Sequence, residues 1–470
     1  MAATRTETDS LGSIDIPADR YWGPQTERAR RLFRIGTEHF PPLLIRAVGL
    51  HKWACAEANE RLGELPHDIA EPIRRAAMEI AEGHRDEDFP LPVWQTGSGT
   101  QTNMNANEVI ANRANELLGQ PLGSRRPVHP NDHVNRGQSS NDNFPTMMHL
   151  AAAEAVERQL LPALGTLQAA LAARAEEWAG IVKLGRTHLM DAVPVTLGQE
   201  FGAYARQVEL GQARLRGVMP RLLLLPQGGT AAGTGLNRHR DFDRVFCEIV
   251  ALRTGLAFAP NPNKFEGMGA HDAFVELAGA LNTIAVSLTK IANDIRLLGS
   301  GPRSGLAELV IPADGLSSSI MPGKTNPTQS EALTMVCAQV MGNTTTVTVA
   351  GAQGHLELNV FKPVIIQAVL QSCRLLADAG TSFADNMVAK LEPNRDRIAE
   401  NLAKSLMLVT ALNPRIGYDK AVQIGKKALA ENLTLKEAAQ QLGFVAPEDF
   451  DRWVRPEEMV TPGATLEGGG

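Results

Sequence analysis

From Phe274 to Leu298 two sets of apolar residues recur with a strict period of seven. Phe274, Leu281, Leu288 and Ile295 form one set, and Leu277, Ile284, Ile291 and Leu298 form the other. A helix places residues so spaced along one seam, and a seam this long and unbroken implies a partner helix of similar length. An ordinary core helix satisfies the same pattern, so the seam fixes architecture before chemistry. Similar helical stretches are expected over about 197–220, 240–256, 327–350 and 356–390. A further apolar face joins Val156, Leu160, Leu164, Leu167 and Leu171, with Pro162 expected to kink or restart it. The predicted fold class is mainly α, a long central helical bundle domain flanked by smaller N-terminal and C-terminal domains.

A chain of 470 residues exceeds what one hydrophobic core usually serves. The first 140 residues read as a mixed region of short helical stretches and turns. Long helices follow from about Pro145, and beyond Glu392 the spacing loosens around Pro393, Pro414, Pro447 and Pro456. The expected domains are therefore 1–140, 141–391 and 392–470. The net charge of −6 is spread along the chain, which disfavours a nucleic-acid partner and leaves a small anionic ligand open. Cys55, Cys247, Cys337 and Cys373 are far apart, with no spacing for zinc, an iron–sulfur cluster or a redox pair. No metal and no cofactor are expected, and scattered thiols suit the cytoplasm. The densest apolar run, Leu222 to Leu225, is too short for a bilayer, so no membrane partner is expected.

Four polar clusters interrupt this scaffold. Gly97 to Asn103 places Ser98, Gly99 and Thr100 ahead of a helix-like stretch, where free amides and the helix dipole suit a carboxylate; an ordinary capped turn has the same composition. Arg126 to Pro145 carries His129, Pro130, Asn131, Asp132, Ser139, Ser140 and Asn141. His129 and His133 have a metal-like spacing, but Pro127 and Pro130 argue against a helix and no HExxH is present. Gly185 to Asp191 reads as a loop with Thr187 and a lone His188, followed by a capping box at Thr196 and Gln199. The last cluster, Ser317 to Pro327 followed by Glu331, contains Ser318, Ser319, Lys324, Thr325 and Asn326. Gly323-Lys324-Thr325 suggests a phosphate loop, but its first glycine is replaced by Ser318 and Pro322 lacks an amide. Asn326 and Pro327 are expected as N-cap and first residue of the next helix.

This fourth cluster resembles the GSSxMPxKxNP signature of the fumarase/aspartase superfamily, with Ser317 in place of the first glycine. HPND at His129–Asp132, QSSND at Gln138–Asp142, GRTHL at Gly185–Leu189 and GYDKA at Gly417–Ala421 extend the resemblance over nearly the whole chain. Within the superfamily, RTHL, QSSNDNFPT, QGGTAAGTGLN and PNKFE are similar to the class II fumarase family. Aspartate ammonia-lyases typically carry Gln in place of His188 and Thr in place of Ser140. The resemblance implies reversible hydration of fumarate to L-malate, without metal, in a homotetramer whose bundles pack together and whose sites each draw on three chains. The seam at 274–298 is longer than a single chain is expected to cover.

The same resemblance implies roles. Ser318 is the base, His188 the partner of the leaving hydroxyl, and Glu331 orients His188. Lys324 and Asn326 hold the carboxylate on which charge grows. Ser98, Gly99, Thr100, Ser139, Ser140, Asn141, Thr187, Ser319 and Thr325 complete the cradle. Arg126, His129, Pro130, Asn131 and Asp132 resemble a second dicarboxylate site. The alternatives are an aspartate ammonia-lyase, a lyase for a substituted fumarate or malate, and a structural protein on the same fold. Joint retention of Ser318, Lys324, Asn326, His188 and Glu331 disfavours the last.

Overall fold

The computed structural model describes residues 3–9, 11–315 and 320–463. Ser318 and Ser319 therefore lie outside the described residues, as does Ser317. Helices carry the fold. The first twelve in chain order are α1 (Pro24–Leu32), α2 (Pro42–Arg61), α3 (His67–Ala81), α4 (Thr100–Leu117), α5 (Ser140–Ala155), α6 (Leu161–Glu177), α7 (Leu197–Leu222), α8 (Phe242–Thr254), α9 (Lys264–Gly269), α10 (Asp272–Leu298), α11 (Thr328–Gly351) and α12 (Lys362–Asn386), and further helices follow towards the C-terminal end. Every strand pairing among the described residues is two-stranded; the longer hairpins are β1 (Thr4–Asp9) with β2 (Gly12–Pro17) and β3 (Val182–Thr187) with β4 (Met190–Thr196). The mainly helical class is as expected.

Two compact units divide the chain. One comprises 1–162, 211–285 and 336–377; the other comprises 163–210, 286–335 and 378–470. In the first, α2 packs on α3, α5 and α8, and α3 packs on α4. In the second, the β3–β4 hairpin packs against the helix Arg395–Lys404 and the turn Leu406–Leu412. Leu412, Ile424, Leu435 and Ala438 form a small core near the C-terminal end of the chain.

All eight seam residues of α10 are buried within a single chain. This corrects the expectation that one chain could not cover them. Glycines on neighbouring helices make the close approach possible: a Cβ at Gly211 of α7 would lie 2.9 Å from Ile284, and one at Gly351 of α11 would lie 2.6 Å from Val275. Among the described residues α10 is the one helix long and apolar enough to cross a membrane, and half of that stretch is buried within the chain. A core helix of a bundle has this composition too.

Three local expectations change. The irregularity near Pro162 is a wide turn at Val156–Leu160, one turn before the proline, and α6 resumes at Leu161. Pro162 has no N–H for the carbonyl one turn back, so the break falls on its N-terminal side. The segment expected to be non-helical does form one wide helical turn, Pro130–Val134, because Pro130 stands at its first position, where a missing N–H costs nothing. At α11 the first helical bond runs from the Glu331 amide to the Pro327 carbonyl at 3.1 Å, so Pro327 and not Asn326 holds the cap position. The first 140 residues also carry longer helices than expected, including the twenty-residue α2.

Candidate active site

Two helix N-termini meet in the first unit. At α4 the chain turns through Gly99 in the left-handed region, φ +75°. A Cβ there would lie 2.3 Å from the Phe144 ring on α5, so glycine is required by both conformation and space. No side chain caps α4, and Ser98 Oγ and Thr100 Oγ1 lie 2.8 Å apart at its start. At α5 Ser139 is the N-cap: its Oγ accepts from the Asn141 amide at 3.2 Å, and Asp142 accepts from the Ser139 amide at 2.9 Å. Asn103 of α4 donates to Ser140 Oγ at 3.0 Å and ties the two termini together. Uncapped amides, the positive ends of two helices and several hydroxyls therefore share one place, which suits a carboxylate.

An open cavity of about 420 Å³ adjoins this place, bounded by Asn135, Gln138, Ser139, Ser140, Thr230 and Asn237. The loop 227–237 was missed as a site element. Its amides at Gly228 and Thr230 donate to Asp142 at 2.9 and 3.0 Å, and Asn141 Nδ2 donates to the Ala231 carbonyl at 2.8 Å. The signal is present in the glycine-rich run QGGTAAGTGLN, which entered the sequence reading only as part of the family resemblance. Burial pushes the Asp142 carboxyl up to about 6, against the pull of these amides and of Lys52.

In the second unit Thr187 and His188 stand at the tip of the β3–β4 hairpin, not in an open loop. His188 and Leu189 form its two-residue turn with φ of 57° and 62°. Positive φ at both positions matches the twist of a tight hairpin, although neither residue is glycine. Strained backbone at a non-glycine residue often marks a functional position. The hairpin is anchored from below by Glu308, fully buried, which accepts from Arg186 at 2.7 Å and from Asn401 at 3.1 Å; Lys183 lies 3.1 Å away. Burial favours the neutral acid, but Arg186 and Lys183 outweigh it and hold the Glu308 carboxyl below its ordinary value. The expected box at Thr196 is present: Thr196 N donates to Gln199 Oε1 at 2.9 Å, and Gln199 N to Thr196 Oγ1 at 3.0 Å.

Lys324 and Thr325 are exposed on the segment leading to α11, Asn326 is half-buried, and Glu331 is exposed in the first turn of that helix. Among the described residues neither the His188 ring nor the Glu331 carboxylate has a hydrogen-bond partner within the chain. Arg126, His129, Pro130, Asn131 and Asp132 form a separate turn, in which His129 Nδ1 accepts from the Asn131 and Asp132 amides at 3.3 and 3.2 Å. His133 Nδ1 accepts from the His129 amide at 2.9 Å, so the two rings are turned to the backbone and not to a shared ion. No group of three or more His, Cys, Asp or Glu among the described residues is placed to hold a metal.

Comparison with known proteins adds a family context. A lyase family model matches residues 12–342, and a fumarase C C-terminus model matches 408–461. The chain is 60% identical over 461 residues to the fumarate hydratase class II of Methylorubrum extorquens, covering 98% of each. It is 57% identical to the mitochondrial fumarate hydratase of Mus musculus, over 97% of this chain and 90% of that one. The crystal structure of class II fumarase from Schistosoma mansoni superposes with a TM-score of 0.96 at 43% identity, over 98% of this chain and 100% of that one.

Proposed function

The chain belongs to the lyase family of the class II fumarate hydratases, and from that premise we infer how its own residues divide the work. It catalyses the reversible hydration of fumarate to L-malate, a hydro-lyase step of the tricarboxylic acid cycle. The observation that carries this is 60% identity to a class II relative across 98% of both chains. The retained site residues agree with it.

Dehydration removes a weakly acidic C–H proton next to a carboxylate and expels hydroxide from the neighbouring carbon. Both steps need help: a base, donors for the doubly negative aci-carboxylate, and a proton for the leaving oxygen. In our assignment Ser318 takes the proton, its anion stabilised by loop amides. Lys324 and Asn326 hold the carboxylate that gains charge. Ser98, Gly99, Thr100, Ser139, Ser140 and Asn141 supply uncharged donors around two helix N-termini, and Thr187, Ser319 and Thr325 complete the cradle. His188, oriented by Glu331, delivers a proton to the leaving hydroxyl. Arg126, His129, Pro130, Asn131 and Asp132 bind a second dicarboxylate away from the chemistry.

We further propose a homotetramer in which each site draws its residues from three chains, a cytoplasmic location, and domains at 1–140, 141–391 and 392–470. Exposed, partner-free His188 and Glu331 side chains support a shared site. All four cysteines are buried and none is in a disulfide, which suits a reducing compartment. Complementation tests the shared site. Ser140→Ala and His188→Gln variants, each impaired alone, are expected to regain activity when co-expressed, and sedimentation should show tetramers. Hybrid tetramers no more active than either parent variant would contradict it.

A further inference from the structure

Beneath the Ser139–Asn141 turn lies a cation with no carboxylate in hydrogen-bond contact. Lys52 of α2 is fully buried, and its ammonium donates to Asn135 Oδ1 at 3.1 Å and to Gln138 Oε1 at 2.9 Å. The Asn135 oxygen is also approached by Asn103 Nδ2 at 3.3 Å, Asn107 Nδ2 at 3.2 Å and Asn143 Nδ2 at 3.3 Å. Asn143 donates in turn to Asn103 Oδ1 at 2.9 Å and to Gln138 Oε1 at 3.0 Å. A side-chain amide can face either way, and only its neighbours decide which end is oxygen. An ammonium has three donors and no acceptor, so it holds Asn135 and Gln138 oxygen-first, together with backbone carbonyls that accept from their NH₂ ends: Gln138 from Asn135 at 3.1 Å, and Val134 and Arg136 from Gln138 at 3.0 and 3.2 Å. That choice propagates: Asn103 must turn its NH₂ toward Asn135, and its second hydrogen then reaches Ser140 Oγ at 3.0 Å. A Ser140 oxygen that already accepts directs its own hydrogen elsewhere.

We propose that Lys52 is a positioning residue that sets the donor polarity of the dicarboxylate cradle, by fixing the Asn135–Asn103–Ser140 chain so that the Ser140 hydroxyl donates to substrate. This rests on the assignment of Ser140 to substrate binding. The groups that act electrostatically on Lys52 are Cys55 on its own helix and Asp142 on α5; the neighbouring His51 is held neutral by burial and by Lys52 itself, its pKa down to about 3. Burial, against the pull of Cys55 and Asp142, brings the ammonium down to about 7. Below that pH Lys52 is donor-only and the polarity is enforced. Above it the amine gains an acceptor and the Lys52 share of that enforcement lapses, so KM should rise with pH.

The test compares Lys52→Met and Lys52→Gln with the parent and with Ser140→Ala. A carboxylate contact present in ground and transition states acts on KM more than on kcat. KM for malate and the inhibition constant of succinate should rise about tenfold or more in both Lys52 variants, while kcat changes by less than about threefold. KM of the parent should rise above neutral pH, and that rise should be absent in both variants. Should Lys52→Met fail to fold, Lys52→Gln carries the same expectation with a polar side chain. Unchanged KM and succinate binding, an unaltered pH profile, or equal loss of kcat and thermal stability in both variants would overturn the proposal. If Ser140→Ala alone proved silent, the assignment of Ser140 would fall, and the proposal with it. If Ser140→Ala were impaired while the Lys52 variants were not, only the role of Lys52 would be lost.

Discussion

His188→Gln is expected to slow malate dehydration by about two to four orders of magnitude, the usual worth of one general acid. Hydroxide leaves poorly unless it is protonated. An imidazole at the tip of a rigid hairpin, φ 57°, can be presented to the leaving oxygen without a loop having to order first. Glutamine keeps a donor of similar size but cannot exchange a proton. Aspartate, by contrast, carries its amine as an ammonium, which leaves as neutral ammonia with no added proton. The variant is not expected to gain aspartate lyase activity, because the surrounding donors remain set for a hydroxyl. Rates on malate and aspartate across pH check both statements. A variant with full malate activity would remove His188 from the chemistry while leaving the family intact.

Ser318→Ala should lower kcat by a similar factor and leave substrate binding largely unchanged. In the proposed assignment the hydroxyl acts chiefly in the transition state, whereas Lys324, Asn326 and the helix N-termini supply most of the ground-state contacts. Steady-state rates together with a succinate inhibition constant separate the two effects. Activity within a few-fold of the parent, about what a non-catalytic loop change gives, would show that Ser318 is not the base.

The parts of this fold that could be read from sequence are those where burial and apolarity coincide. Every seam position from Phe274 to Leu298 is apolar and buried. The Thr196–Gln199 box was legible because its two bonds are local. Helix α4 was hard to read for the opposite reason: its buried face carries Asn103, Asn105, Asn107, Asn112 and Asn115. Three of these donate to the backbone carbonyls of Asp88, Tyr21 and Val128, so their polarity is satisfied by partners remote in sequence. Lys52 was invisible likewise, since a lysine among apolar residues normally faces water. The expectation that one chain could not cover the seam fails because glycines such as Gly211 let helices of the same chain approach closely enough to cover it. Sequence brought out Ser98, Thr100, Ser139, Ser140 and Asn141 as candidate site residues through their family motifs. It could not show that Asn103 joins the two groups, because that bond spans thirty-seven residues.

One assay bears most directly on the central claim. Purified, chelator-treated protein is given malate, aspartate, argininosuccinate or methylmalate, and the product double bond is followed by ultraviolet absorbance. Malate should be dehydrated faster than any of the others, with no gain from added iron or magnesium. Faster deamination of aspartate, or malate activity that vanished with chelator and returned with metal, would contradict the account.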